Sequence, residues 1–182
     1  MQIRIFTSGL QGILLTLVYV ALLFTTLPYT PYYAGRLSSM GYLEEAVAGM
    51  FIVSSLVVAR GAVRSGRLKY PSFWVTIVLL VMIYIFTESV TQTYAEPLHL
   101  LTYGILVFLI FSAARFRLGG AQLFILSVSL TAGIGVLDEI IQYCLPGRHF
   151  GWNDVVINGL GGIAGLMIVR FIFGDTGKRC GC

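Results

Sequence analysis

Two adjacent carboxylates interrupt an otherwise apolar segment of the sequence. Asp138 and Glu139 are followed by Gln142 in the same segment and by Arg148 after a Pro-Gly pair. Asp138 and Gln142 are four residues apart and share one face of a helix, whereas Glu139 lies about 100° around the axis. The planar guanidinium of Arg148 can bind a carboxylate or a phosphate through two parallel hydrogen bonds. These residue types indicate a site for a polar or anionic group.

The loop after these acids supplies the nearest cation in the sequence. Pro146-Gly147 favours a turn, which would bring Arg148 back towards Asp138 and Glu139. Burying a charged side chain in a membrane helix costs about 2.5 to 3.5 kcal/mol on insertion scales, so two adjacent acids need partners. We therefore expect Arg148 to lie over one of the two carboxylates, with donors left for an anion.

Three further polar residues form a stripe at the start of the preceding apolar segment. Glu96, His99 and Tyr103 are spaced i, i+3 and i+7, which places them on one face of a helix. A histidine beside an acid and a phenol at one membrane depth is a candidate for proton transfer or ligand binding. We expect this stripe to approach Asp138 from a neighbouring helix.

The last apolar segment begins with polar residues. Asn153-Asp154 is a good N-cap pair that also suits the positive end of the helix dipole, and Asn158 follows one turn below Asp154 on the same face. The amide of Asn158 needs hydrogen-bond partners if it is buried. The complete set of candidate ligand-binding residues is Glu96, His99, Tyr103, Asp138, Glu139, Gln142, Arg148, Asp154 and Asn158.

Glycines follow in the same segment. Small residues four apart allow two membrane helices to approach closely. We therefore assign these glycines to helix packing: Gly159, Gly161, Gly162 and Gly165.

The composition indicates a membrane protein. Of 182 residues, 57% are apolar and 11% are charged, and the mean hydropathy is +0.87. Soluble domains carry roughly 25% charged residues, so this chain has too few charges to cover a water-exposed surface. No stretch packs five or six cations together, which argues against nucleic-acid binding. The three cysteines are too few for a disulfide framework, and we expect Cys180 and Cys182 to be free thiols.

Six segments approach the length of about 20 apolar residues that a membrane-spanning helix needs. We predict an all-α, polytopic membrane bundle that forms a single domain over residues 1–182. The first helix is expected to end at Pro28. The predicted spans are residues 10–27, 42–59, 73–87, 97–114, 121–143 and 155–173.

The basic residues orient this bundle. With six spans and the N-terminus inside, only Arg36 and Arg148 of the 12 Lys and Arg residues fall outside. This distribution follows the positive-inside rule and predicts that both termini are cytoplasmic. The tyrosines and Trp152 that gather at the outer boundary are typical of an aromatic belt. The polar residues described above would then face outward.

The fifth and sixth predicted spans resemble those of the VanZ-like membrane proteins. The motifs are Asp138-Glu139-x-x-Gln142, Pro146-Gly147-Arg148, Asp154-x-x-x-Asn158 and Gly162, with the stripe around His99 and Tyr103 as a second segment. The resemblance covers roughly residues 96–169, within a VanZ-like core of about residues 73–173. The first two spans show no family signal. Many members have an Asp-Lys pair before the histidine, where this chain has Glu96-Pro97.

This resemblance implies a multi-pass protein of the bacterial cytoplasmic (inner) membrane. The relative that names the family is linked to resistance against teicoplanin, a lipoglycopeptide that binds cell-wall precursors. The resemblance therefore implies an outward-facing pocket for a lipid-linked or cell-envelope ligand and a role in glycopeptide-type antibiotic resistance. The expected partners are the lipid bilayer, a lipid-linked cell-wall precursor or other membrane subunits.

The residues leave several functions open. In a binding protein, Arg148 would hold an anion and the other polar residues would orient it. In an enzyme acting on a lipid-linked phosphate or ester, His99 or Glu139 would be the general base. In a non-catalytic accessory subunit, the polar cluster would only hold helices together. We expect no cofactor and no metal site, because the spacing of His99 and the carboxylates is not diagnostic of metal ligation.

Overall fold

Apolar helices make up nearly all of the described chain. The computed structural model describes residues 8–91, 96–146, 148 and 150–172, and no β-strand occurs among them. The predicted all-α bundle is therefore confirmed, while Cys180 and Cys182 lie outside the described residues. The α-helices are α1 (Gly9–Thr26), α2 (Thr30–Ser39), α3 (Leu43–Ser65), α4 (Pro71–Val90), α5 (Leu98–Ala114), α6 (Gly120–Tyr143) and α7 (Trp152–Met167). A π-helical turn, Ile168–Ile172, continues α7.

Five helical stretches in the described part of the chain are long and apolar enough to cross a membrane. They are Gly9–Ser39, Leu43–Ser65, Pro71–Val90, Gly120–Tyr143 and Trp152–Phe171. Helix α5 has 17 residues and is about 25 Å long at about 1.5 Å per residue, which is shorter than a hydrocarbon core of about 30 Å. The chain is thus a multi-pass membrane protein with one shorter apolar helix.

The predicted boundaries hold to within a few residues, with two differences. Helix α1 ends at Thr26 as expected, but a 3-10 turn at Leu27–Tyr29 and then α2 continue the helical path. Pro28 and Pro31 lie in the first turns of these two segments, where the missing N–H breaks no helical hydrogen bond. Helix α3 continues to Ser65 and ends at Gly66, whose φ of 67° favours glycine.

Helix α5 lies at the centre of the bundle. It packs against α7, α1 and α6, which together enclose most of its surface. Tyr103, Leu106, Val107 and Phe111 are completely buried. Helices α3 and α4 instead expose large apolar side chains along their length, as expected for surfaces that face lipid.

Two glycines of α7 bring its backbone against that of α5. A Cβ at Gly161 would lie 2.9 Å from the backbone oxygen of Leu100, and one at Gly165 would lie 2.6 Å from that of Gly104. A Cβ at Gly162 would lie 3.0 Å from the Thr131 side chain on α6. In contrast, a Cβ at Gly159 would meet nothing within 4 Å. The close face of α7 thus contains three of the four glycines.

Replacing Gly161 with leucine should destabilise the bundle, because the new side chain would push α5 and α7 apart. Overpacking typically costs about 1 to 3 kcal/mol, and a backbone neighbour cannot move aside as a side chain can. Gly159→Leu is the matched control, since it adds the same side chain to the same helix in open space. We expect thermal melting in detergent to show a lower midpoint for Gly161→Leu alone. Equal midpoints for the two variants would contradict this packing.

The orientation of the bundle is tested by reporter fusions. We predict that reporters placed at Lys69 and after Lys178 both report a cytoplasmic location, because the cation distribution places both sites inside. The control is a fusion in the segment that joins α2 to α3, near Gly41, which should report the opposite side. A reporter on the outer side at either Lys69 or Lys178 would contradict the six-span topology.

Candidate functional site

A buried hydrogen bond joins α5 to α6. The Tyr103 hydroxyl donates to Oδ2 of Asp138 over 2.7 Å. Tyr103 is completely buried and Asp138 is 2% exposed. The other carboxylate oxygen, Oδ1 of Asp138, is also buried but has no hydrogen-bond partner among the described residues. Of the two carboxylate oxygens of Asp138, one is therefore hydrogen-bonded by the described protein and the other is not.

A second pair of hydrogen bonds joins α7 to both neighbours. Nδ2 of Asn158 donates to the Gly135 backbone oxygen on α6 over 3.4 Å, so Oδ1 of Asn158 is directed at His99 on α5. Nδ1 of His99 lies 2.8 Å from this oxygen and therefore carries the proton. In the neutral imidazole, Nε2 then keeps its lone pair. The ring stacks nearly parallel to that of Tyr103, with an interplanar angle of 7°.

Gln142 connects Glu139 to Arg148. Its amide nitrogen donates to Oε1 of Glu139 over 3.3 Å, and its amide oxygen accepts from Nη2 of Arg148. The backbone N–H of Gly151 donates to Oε2 of Glu139 over 3.4 Å. Arg148 thus returns towards the acids as expected, but it contacts Gln142 instead of a carboxylate. The reason is positional, because Gln142 lies one turn nearer to the loop than Asp138 and Glu139.

Glu96 and Asp154 lie at the edge of this network. Glu96 is half-buried in the turn before α5, and its backbone oxygen accepts from the His99 backbone N–H over 3.0 Å. Asp154 is half-buried in the first turn of α7, where a Cβ at Gly151 would lie 2.7 Å from its Oδ2. Gly151 is the N-cap of α7, so the expectation that Asn153-Asp154 caps this helix is wrong. The side chain of Asn153 instead donates to the Val90 backbone oxygen over 3.5 Å.

The two acids have little positive charge beside them. Nδ1 of His99 lies 4.0 Å from Oδ2 of Asp138, which is an ion pair only when the imidazole is protonated. No described Lys or Arg nitrogen lies within 4.0 Å of either Asp138 or Glu139. One nitrogen of His99 and one oxygen from each acid lie within 4.8 Å of one another. The site is therefore a compact group of possible metal-ligand atoms with few positively charged side chains beside it.

A cleft of about 770 Å³ opens beside this group, between α1 and α2 on one side and α5 and α6 on the other. It lies at the end of the bundle where α1 and α6 finish and α5 begins. Its polar wall is formed by His99, Asp138, Gln142 and Arg148. The apolar and aromatic wall includes Tyr19, Leu22, Leu23, Leu27, Tyr29, Tyr33, Leu37, Leu43 and Leu98.

Three contributors to this site are absent from the sequence-based set. Tyr19 on α1 lines the cleft and donates to the Thr102 backbone oxygen over 3.0 Å. The sequence signal that could have identified it is a single tyrosine inside an apolar span, because a buried phenol needs a hydrogen-bond partner. Gly135 leaves space for the Asn158 side chain, because a Cβ at Gly135 would lie 3.0 Å from the Cβ of Asn158. The segment of α2 was interpreted as a loop whose tyrosines belong to an aromatic belt, but α2 forms one wall of the cleft.

Comparison with known protein families identifies the family of this chain. The VanZ/LLP1 family profile matches residues 12–173 of the 182. The match includes α1 and α2, so the expectation that the first two spans carry no family signal is wrong. No curated protein and no solved structure is significantly similar to the chain. Its match over most of its length shows that this chain belongs to the VanZ/LLP1 family.

Proposed function

We propose that this protein binds an amphiphile, a lipid-linked or cell-envelope molecule, in the cleft between α1, α2, α5 and α6. The supporting observation is the division of the cleft into an apolar wall and a polar end. An apolar tail gains about 25 cal/mol per Å² of surface that leaves water, and convergent polar groups fix the orientation of a head group. A ligand with both parts matches both walls.

The polar end favours an anionic head group at Arg148. Its guanidinium has five N–H donors, and the observed hydrogen bond to Gln142 uses one of its nitrogens. Arg148 is half-buried and lines the cleft, so its other donors can reach a bound molecule. Asp138 and Glu139 repel an anion that moves further inward. The head group is therefore expected at the Arg148 end, as a phosphate or a diphosphate would be held.

This proposal extends to the biology of the family. A lipid-linked cell-wall precursor has the required apolar tail and anionic linkage, and its capture would connect the protein to glycopeptide-type resistance. The location is then the inner membrane of a bacterium, with the cleft open to the outer leaflet. The placement of Arg148 and Gln142 on the wall of an open cleft favours this ligand-binding function over an accessory subunit, in which the polar groups would face only one another.

Farnesyl phosphate and farnesol measure the contribution of the head group, because they share one tail and differ by the phosphate. We predict that Arg148→Gln weakens binding of farnesyl phosphate to the protein in detergent by roughly 10- to 100-fold. This follows from the loss of a charged hydrogen bond worth about 1.5 to 3 kcal/mol. Arg148→Lys should also weaken binding, since a point charge cannot bridge Gln142 and a phosphate. Native mass spectrometry or thermophoresis gives the dissociation constants.

The matched control is Arg36→Gln, which removes an exposed cation of α2. It should leave binding of farnesyl phosphate unchanged, and farnesol should bind equally to all three variants and the parent. The proposal would be contradicted if Arg148→Gln bound farnesyl phosphate as tightly as the parent does.

The proposal that the apolar tail lies in the cleft is tested by placing a larger side chain there. Leu23 lines the cleft, so Leu23→Trp should weaken farnesyl phosphate and farnesol binding by a similar factor, about tenfold or more, because the indole occupies the space of the tail. Leu17→Trp adds the same side chain to the same helix at a position that is 60% exposed, and it should leave both ligands unaffected. If both ligands bound Leu23→Trp as tightly as the parent, the tail could not lie in this cleft.

A further inference from the structure

We propose that His99, Asp138 and Glu139 bind a divalent metal ion such as Mn²⁺ or Zn²⁺. One ligand atom from each of these residues lies within 4.8 Å of the other two. The three come from two helices, α5 and α6, and the carboxylates are buried. The sequence spacing alone predicts no metal site, so this inference depends on how the two helices are packed.

The donor set suits a divalent transition-metal ion. Imidazole nitrogen and carboxylate oxygen are the ligands of many Zn²⁺ and Mn²⁺ sites, at about 2.0 to 2.2 Å for Zn²⁺. In a tetrahedral site with bonds of about 2.1 Å, two ligand atoms lie about 3.4 Å apart. The three side chains must therefore close by up to about 1.4 Å, which side-chain torsions on two helices can supply.

Asp138 supplies the independent observation that points to a ligand. Its side chain is 2% exposed, and its Oδ1 has no hydrogen-bond partner in the part of the chain that the structure describes. An unpaired buried oxygen costs about 1 to 3 kcal/mol, more when it is charged. A metal ion bonded to Oδ1 removes this penalty without disturbing the hydrogen bond from Tyr103 to Oδ2.

The charges agree with a bound cation. Two carboxylates are adjacent in α6, and among the described residues the Lys, Arg or His nitrogen within 4.0 Å of them is Nδ1 of His99, beside Asp138. Arg148 is linked to Glu139 by hydrogen bonds through the amide of Gln142 and is not within 4.0 Å of its carboxylate. A divalent cation would neutralise both acids at once, which no described side chain does.

Neighbouring groups hold each ligand as they do in known metal sites. Metal-binding histidines usually donate their second nitrogen to a carboxylate or carbonyl, and metal-binding carboxylates accept hydrogen bonds from nearby donors. Here Nδ1 of His99 is held by Asn158, which leaves Nε2 as the nitrogen that would bind the ion, while Tyr103 holds Asp138 and the Gly151 N–H holds Glu139. The ligands are thereby oriented before the ion arrives.

Binding of Mn²⁺ to the purified protein tests this inference. The full chain, freed of its purification tag and treated with EDTA, is titrated with Mn²⁺ in detergent, and free Mn²⁺ is measured by its electron paramagnetic resonance signal. Mn²⁺ is chosen because thiols are soft ligands that bind it weakly, so the cysteines do not compete. We expect one equivalent to bind, with a rise in melting temperature that increases with Mn²⁺ concentration.

Variants of the three ligands assign the site. His99→Gln, Asp138→Asn and Glu139→Gln should each weaken Mn²⁺ binding at least tenfold and reduce the rise in melting temperature, whereas Glu45→Gln, an exposed acid of α3, should change neither. Asp138→Asn can still accept from Tyr103, and Glu139→Gln provides a second variant if one ligand change prevents folding. No saturable binding to the parent, or equal binding by the parent and the ligand variants, would overturn the site.

The tests of metal binding and of amphiphile binding are independent of each other. Mn²⁺ is titrated without farnesyl phosphate, and farnesyl phosphate is titrated in the presence of EDTA. Loss of one binding event with retention of the other identifies which of the two inferences fails.

Discussion

Asp138 and Glu139 are adjacent carboxylates in an apolar bundle, and the arrangement of the last three helices satisfies their requirements. A buried carboxylate needs hydrogen-bond donors, and among the described residues α6 itself supplies one side-chain donor, the Gln142 amide, to Glu139. The others come from neighbouring elements: the Tyr103 hydroxyl on α5 donates to Asp138, and the Gly151 N–H at the start of α7 donates to Glu139. This requires α5 and α7 to lie close together beside α6, which Gly161 and Gly165 permit. The position of α5 at the bundle centre follows from the same requirement.

The same network leaves part of the site free for a ligand. Within the described ranges, Oδ1 of Asp138 has no hydrogen-bond partner, and Arg148 is held at the cleft by Gln142 and not by an ion pair with an acid. Natural proteins keep such unsatisfied groups where function needs them, at a cost in stability. The cleft therefore combines a cation near its rim, acids at depth and an apolar wall. Each feature serves a different part of the proposed binding chemistry.

Much of this could be predicted from the sequence, and the exceptions have physical causes. Hydropathy predicts the apolar helices because the length of an apolar segment can be read directly from the sequence. The i, i+3 and i+7 spacing places His99 and Tyr103 on one face, since helix geometry is fixed. The contact of Arg148 with Gln142 depends on a loop conformation that spacing does not determine. Helix α2 was missed because Pro28 and Pro31 read as a break, although both occupy first turns. The approach of His99 to Asp138 is expected from their similar membrane depth, but the distances that bring His99 close to both acids depend on helix packing, which no local pattern encodes.

The central claim is that Asp138 is retained for ligand binding at the expense of stability. The most direct test is the melting temperature of Asp138→Asn in detergent with EDTA present. The amide oxygen can keep the hydrogen bond from Tyr103, and the change removes a buried charge that has no Lys or Arg beside it among the described residues. We predict a midpoint equal to or above that of the parent. A midpoint several degrees lower would show that the carboxylate stabilises the bundle, which contradicts this account.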